Sequence, residues 1–243
     1  MGESYGQFTV GNDEVLMPLV DACNIACGFH AGDPWHISKT IDLALVNDVL
    51  IGAHPGYPDL QGFGRREMEL TPAELSATMQ YQVAALKGMI EGKGGKLNHV
   101  KPHGSLYNRM AKDMAIAQIV MQAIHGIDNK LPVMGLAGSP LQDYAEKNKI
   151  TFIAEAFADR WYEPNGTLRS RKHNDAVITD PQIAARQVFQ ISQEQRVKTY
   201  TGEFLSLNAQ SFCIHGDNPA AQLILEAIQH EIKTNSFEKI PKQ

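Results

Sequence analysis

Cysteine is scarce in this chain. Its 243 residues hold three, Cys23, Cys27 and Cys213. An odd, sparse set builds no disulfide framework. Cys23 and Cys27 are four apart with no second pair, which argues against a zinc ribbon. Long apolar runs are missing too, since none approaches the roughly 18 residues of a membrane span. The opening stretch MGESYGQFTVGNDE has no basic start and no apolar core, so no secretory signal is visible. Positive charge is not in excess: 22 Lys and Arg face 27 Asp and Glu, for a net charge of −5. That argues against nucleic acid or an anionic membrane as the main partner. A nucleotide motif is absent as well. GKGGK, from Gly92 to Lys96, follows no strand, has no Ser or Thr after the lysine and has the wrong spacing for a phosphate loop. The expectation is a soluble protein of the reducing cytoplasm.

Apolar residues make up 43% of the chain and charged residues 20%, enough for a sizeable core. Short apolar runs alternate with longer amphipathic ones. Strands are expected at 24–29, 49–54, 97–102, 131–136, 150–156, 196–200 and 211–215. The intervening segments carry helix-start signals. DPWHISKTIDLALVND opens on an Asp cap with Pro34 at the first helical position. TPAELSATMQYQVAALKGMIEGKGG opens as a capping box and closes on glycines. KDMAIAQIVMQAIHG, DPQIAARQVFQISQEQ and DNPAAQLILEAIQHEI follow the same pattern. Such alternation implies parallel strands joined by helical crossovers. The strands read as continuous apolar runs, as expected when both faces are covered. About seven βα units fit a closed or nearly closed barrel, and with no linker or repeat visible the expectation is a single domain over 1–243. The least regular stretch, 157–178, is long for a structureless loop, and such loops are often functional.

Four apolar runs end in a histidine: NIACGFHAGD, VLIGAHPGYPD, NHVKPHG and SFCIHGD. In a parallel α/β barrel the carboxyl ends of the strands converge on one face, where active sites sit. His30 with Asp33, His54 with Asp59, Lys101 with His103, Glu155 with Asp159 and Arg160, and His215 with Asp217 all follow expected strands and are expected to share one rim. Taken singly, a histidine after a strand reads as a hydrogen-bonded loop residue; four at equivalent ends point to function. His36, His125, His173 and His230 fall in helices or a loop and read as surface. Cys27 reads as a small core residue rather than a nucleophile. GFGRR, Gly62 to Arg66, is either a solvated turn or an arginine pair that clamps a carboxylate or phosphate. Lys101 and His103 are two apart, hence on one face of an extended segment, which sets a cation beside a base. Metal binding stays open. Three His and an Asp are a workable zinc set, with each ligand expected from a different strand.

The words NIACGFHAGDP, IGAHPGYPD with GFGRR, HVKPHGSLYN, FADRWYEPNGTLRSR and CIHGD, in that order over about residues 2–217, resemble the LamB/YcsF family, the A subunits of 5-oxoprolinase. The resemblance implies an α/β fold, a distorted TIM-like barrel of the polysaccharide-deacetylase-like type. It implies ATP-dependent cleavage of 5-oxoproline to glutamate, in a complex with two partner subunits of B and C type. The family begins with a strand reading roughly Ile-Asp-Leu-Asn-x-Asp before Met-Gly-Glu-Ser. This chain starts at Met1 to Ser4, so the first barrel strand is expected to be truncated.

A lactam amide is a poor electrophile, so hydrolysis benefits from phosphorylation of its oxygen by ATP. With no ATP motif here, phosphorylation is expected of the partners and ring opening of this chain. The expected catalytic set is His30, His54, His103, His215 and Asp159, with base and acid unassigned. The expected substrate-binding set is Lys101, Arg66 and Arg160 as cations, with Asp33 and Tyr107. The competing readings are a stand-alone metal-dependent deacetylase or amidohydrolase, and a non-catalytic binding subunit.

Overall fold

The structure is a computed structural model and describes residues 1–234. The chain divides into two compact units. One comprises residues 1–135 with 139–152; the other comprises 136–138 and the chain from Ile153 on.

The first unit is built on parallel strands β1 (Ala22–Ala26), β2 (Leu50–His54), β3 (Leu97–Val100) and β4 (Val133–Leu136, whose last residue counts with the second unit). Neighbours pair in chain order, Ala22 with Leu50 through Ala26 with His54, then Ile51 with Leu97 and Val100 with Val133. Met1 lies along β1, its amino group donating to the Asn24 carbonyl (2.8 Å) and its carbonyl accepting from Ala26 N–H (3.0 Å). A single turn, α1 (Asp13–Leu16), precedes β1.

The crossover helices start where the sequence signals place them. Asp33 caps α2 (Pro34–Val46), accepting from the amides of Trp35 and His36. Thr71 and Glu74 form a complete capping box on α3 (Pro72–Glu91). The unit adds α4 (Gly104–Met110), α5 (Met114–His125), capped by Asp113, and α6 (Pro140–Lys147). Side chains with almost no exposure, Ile25, Ile41, Leu75, Met79, Leu86 and Ile90, form the core between helices and sheet. Each contributes roughly 1.5–3 kcal/mol by leaving water.

In the second unit β5 (Phe152–Phe157, its first residue counted with the first unit) pairs in parallel with the later strand 211–213, Glu155 facing Ser211 and Phe157 facing Cys213. Helix α7 (Pro181–Glu194) is capped by Asp180. The segment 196–200, expected as another parallel strand, instead forms an antiparallel ribbon. Strand β6 (Arg196–Lys198) pairs with β7 (Phe204–Ser206), Val197 facing Leu205. The connection explains the difference. Only five residues join the two strands, too few for a crossover, and they turn back through Gly202 at φ +95°. Strand β8 (Ser211–Cys213) and α8 (Ala221–Thr234) complete the unit, whose core holds Ala158, Ile178, Ala184, Val188, Ile224 and Ile228.

The α/β alternation places polar groups at strand ends, and one polar group lies within the sheet itself. Asn24, Gly52 and His99 are in register across β1, β2 and β3. The His99 ring crosses Gly52 and its Nε2 meets Asn24 Oδ1 at 2.9 Å, while Nδ1 meets Asn98 Oδ1 at 3.0 Å. A Cβ on residue 52 would sit 2.2 Å from His99 Nε2. Gly52→Ala is therefore expected to cost about 1–3 kcal/mol through overpacking. Adding His99→Ala removes the clash, so the double variant should lose less than the two single losses summed. Urea unfolding of the three variants checks this, and a Gly52→Ala midpoint equal to wild type contradicts it.

Candidate functional site

The first unit gathers three of the expected histidines. Strand β1 runs into the loop carrying His30, β2 ends on His54, and the segment after β3 carries Lys101 and His103. His30 and His103 stack at 3.8 Å between centroids, with 7° between their planes. His54 stands edge-on to both, 5.7 Å from His30 and 4.9 Å from His103. Phe63 closes another side, edge-on to His30 and His103. Gly64 lets the 55–64 loop approach this stack. It has φ +62°, and a Cβ there would lie 2.8 Å from both His103 Nδ1 and His30 Cβ. Its carbonyl accepts from the amide and hydroxyl of Ser105, each at 3.0 Å. The buried side chain of Gln82 on α3 fixes the loop's other end, accepting from Gly56 N–H (3.0 Å) and donating to its carbonyl (2.8 Å).

Burial sets the protonation of these rings. His30 is fully buried, and neither ring nitrogen has a hydrogen-bond partner among the described residues. Burial, aided by nearby positive charge including Arg65, lowers its pKa to about 3. His54 is held well below the usual histidine range by burial and then by the Lys101 ammonium. Its Nδ1–H donates to the Lys101 carbonyl at 2.6 Å, which leaves Nε2 as a lone pair. His99 is lowered to about 4, again by burial and then Lys101. A neutral ring supplies one N–H, so His99 donates to one of its two asparagines and accepts from the amide NH2 of the other. The ammonium of buried Lys101 lies 5.6 Å from the Tyr107 ring centroid. The unit thus presents neutral imidazoles beside a cation and an aromatic face.

Glu3, His30 and His103 offer ligand atoms within 4.8 Å of one another. Their geometry suits a metal poorly. Two rings stacked almost parallel at 3.8 Å hold their lone pairs in separate parallel planes, so an ion shared between them would lie well out of both.

Two expected substrate ligands have other commitments. Asp33 spends its carboxylate on capping α2 and on bonds from Gly6 N–H (2.7 Å) and His36 Nδ1 (2.8 Å). His36, read from sequence as surface, is thereby part of the cap. Arg66 binds Asp59 through Nε, 3.1 Å from each carboxylate oxygen, and through a close Nη2 contact. That guanidinium lowers the buried Asp59 carboxyl below its usual range.

The second unit holds a different arrangement. Asp159, with no exposure, accepts from His215 Nδ1 at 2.9 and 3.1 Å, from the His215 amide at 3.1 Å and from Asn218 Nδ2 at 3.1 Å. Burial alone would raise its carboxyl. His215 and the other donors outweigh burial and leave it below the ordinary value. The His215 side chain is 24% exposed and stacks on Phe157. Arg160 is buried and turned to backbone, donating to the carbonyls of Ala176 (3.3 Å) and Arg169. It ties down the irregular 157–178 stretch. Arg169 does the same with ion pairs to Glu163 and Asp175 and a cation–π contact on Tyr200. Buried Gln187 on α7 donates to the carbonyls of Phe157, Ala158 and Arg160, fixing the end of β5.

Sequence reasoning missed His99, Phe63, Gln82, Gln187 and Asn218. His99 had a signal, since it lies two residues before Lys101 and so on the same strand face. The glutamines had none, because their partners are main-chain atoms distant in sequence.

The family model for the LamB/YcsF family matches residues 1–243. A 5-oxoprolinase A subunit from Acinetobacter baylyi is 46% identical over 238 residues, covering 98% of this chain and 94% of that one. One from Limosilactobacillus fermentum is 44% identical over 237 residues with the same coverage. The crystal structure of the lactam utilization protein from Thermus thermophilus superposes with a TM-score of 0.91 at 39% identity, over 98% of this chain and 95% of that one. A putative cellobiose-phosphate cleavage protein from Enterococcus faecalis V583 matches at a TM-score of 0.53 and 10% identity, a likeness of fold alone.

The buried rings make stability depend on pH. His30 protonates near 3 in the folded chain against 6.5 for a free histidine. As pH falls from about 6.5 toward 3 the unfolded chain binds the proton and the folded one does not, so stability present above 6.5 is lost across that window. His30→Phe keeps a ring there but removes the titration. Urea midpoints should then decline less between pH 7 and pH 4 than in wild type; equal slopes contradict the assignment.

Proposed function

The chain belongs to the LamB/YcsF family, and on that premise we propose that it is the A subunit of a 5-oxoprolinase. The complex would open the lactam ring of 5-oxoproline to glutamate, using ATP and partner subunits of B and C type, in the cytoplasm. The observation that carries this reading is full-length similarity, at 44–46% identity, to proteins named as the A subunit of 5-oxoprolinase. A cytoplasmic place agrees with the described residues, in which no helix is long and apolar enough to cross a membrane.

The chemistry of the residues supports the same reading. The substrate is a small, flat, anionic ring with a polar amide. Lys101 suits its carboxylate or a transferred phosphate, and Tyr107 offers an aromatic face beside that cation. Neutral His30 and His54 add ring nitrogens without adding charge, and His103 stacks on His30 beside them. Electrostatic groups fixed in advance, out of water, need no reorganisation as charge develops in the transition state. Within the second unit, Asp159 and His215 set a carboxylate beside an imidazole, a pair suited to moving protons between water and a leaving nitrogen. Arg160 shapes the loop next to Asp159. ATP is used by the partners: they phosphorylate the lactam oxygen, and water attacks the activated carbon with this chain's residues in attendance.

The test is glutamate release from 5-oxoproline by the assembled complex. Turnover should require both ATP and the partner subunits. Alanine in place of His215 should lower kcat by roughly 10²–10⁴, the usual share of acid–base catalysis, and alanine in place of His54 or His103 should lower kcat by removing a group fixed beside Lys101. Lys101→Met should mainly raise KM. Unchanged turnover in all the histidine variants contradicts a catalytic role and leaves a binding subunit. Turnover by this chain alone without ATP, lost on chelation, replaces the proposal with a metal-dependent amidohydrolase.

A further inference from the structure

The four strand-end histidines differ in what surrounds them, and the difference tells which one carries protons. His30 has no hydrogen-bond partner among the described residues, and its positive form is opposed by burial. The Nδ1–H of His54 is bound to a backbone carbonyl, a dipole and not a charge. His30 and His103 are stacked face to face at 3.8 Å, where a proton on either ring would bring a charge against its neighbour. His215 is different. Its Nδ1 lies 2.9 Å from a carboxylate oxygen of Asp159, while 24% of the side chain remains open to solvent.

A carboxylate can only accept, so Nδ1 carries the hydrogen and Nε2 bears the lone pair. Asp159 then steadies the imidazolium when Nε2 takes up a proton. That arrangement works only if the carboxylate keeps its orientation, and three donors hold it. They are the His215 ring, the His215 amide at 3.1 Å and Asn218 Nδ2 at 3.1 Å. Asn218 is itself buried and held by further bonds. Its Nδ2 also donates to the Ile178 carbonyl (3.0 Å), and its Oδ1 accepts from Ala220 N–H (3.0 Å). Asp217, two residues after His215, pairs with Arg171 at 3.6 Å.

We propose that His215 is the proton carrier of the ring-opening step, with Asp159 orienting it and Asn218 acting as the positioning residue for Asp159. The proposal rests on the ring-opening reading above. In that step the phosphorylated lactam has a carbon–nitrogen double bond. A water oxygen bonds to the carbon, and Nε2 takes one water proton and passes it to the ring nitrogen, which holds the displaced electron pair. The remaining carbon–nitrogen bond then breaks with its pair on nitrogen, and the hydroxyl proton follows by the same route. An amine and an acyl phosphate result, and a second water converts the acyl phosphate to carboxylate and phosphate. His215 ends as it began.

Asn218→Ser separates positioning from mere folding. Serine keeps a side-chain oxygen for the turn into α8 but is too short to donate to Asp159. In the assembled complex with ATP, Asn218→Ser should lower kcat roughly 10- to 100-fold with KM unchanged, and Asp159→Asn should lower it roughly 10³- to 10⁴-fold. On the full chain alone, nitrogen-15 NMR of labelled histidine reads the tautomer, with His215→Gln identifying the signal. The expected state at pH 8 is Nδ1–H in wild type, with the Nε2–H form appearing in Asn218→Ser. Wild-type kcat and tautomer in Asn218→Ser overturn the role of Asn218, and an Nε2–H signal in wild type overturns the whole arrangement. If wild-type complex leaves 5-oxoproline intact, the function proposed above falls, while the NMR readout still decides the tautomer.

Discussion

An imidazole shut away from water is held neutral, and the strand ends of the first unit are arranged around that constraint. Charging such a ring would cost several kcal/mol of lost hydration, so His30, His54 and His99 each carry one N–H and one lone pair. His99 uses its pair of nitrogens on two asparagines. His54 directs its N–H at the Lys101 carbonyl. His30 lies flat on the His103 ring. The glycines follow from the same constraint. Rings need volume, and Gly52 and Gly64 provide it where any Cβ would collide.

The second unit uses the same position after a strand for the opposite electrostatics. Asp159 lies two residues past β5, where His54 is the last residue of β2, and it is an anion held by three donors. Its histidine partner is consequently held with the hydrogen on Nδ1. In both units a buried glutamine on a crossover helix binds the main chain beyond a strand end. Gln82 holds Gly56, and Gln187 holds Phe157, Ala158 and Arg160. Backbone clamps of this kind keep strand-end side chains within the small tolerances that proton transfer requires.

Much of the fold was legible because local rules governed it. Asp33, Thr71 with Glu74, Asp113 and Asp180 start helices by bonding amides two or three residues on. Segment 196–200 misled because a short apolar run looks alike in parallel and antiparallel pairing, and the connection to a partner decides between them. In the site, the histidines announced themselves by ending apolar runs. Asp33 and Arg66 show the limit of that logic. A charged residue after a strand can serve a helix cap or an internal ion pair, and the choice depends on atoms far away in sequence, such as the amide of Gly6. Asn218 and Gln187 were invisible for the same reason.

The account stands on buried, neutral histidines beside Lys101, and proton NMR of the histidine Cε1–H signals between pH 8 and pH 4 tests that claim most directly. The signals of His30, His54 and His99, identified by single substitution, should stay at their neutral positions down to about pH 5. Any of these rings titrating with a midpoint near 6.5 would contradict the account, because it would mean that water reaches the ring and that the strand ends are not the dry, preset environment described.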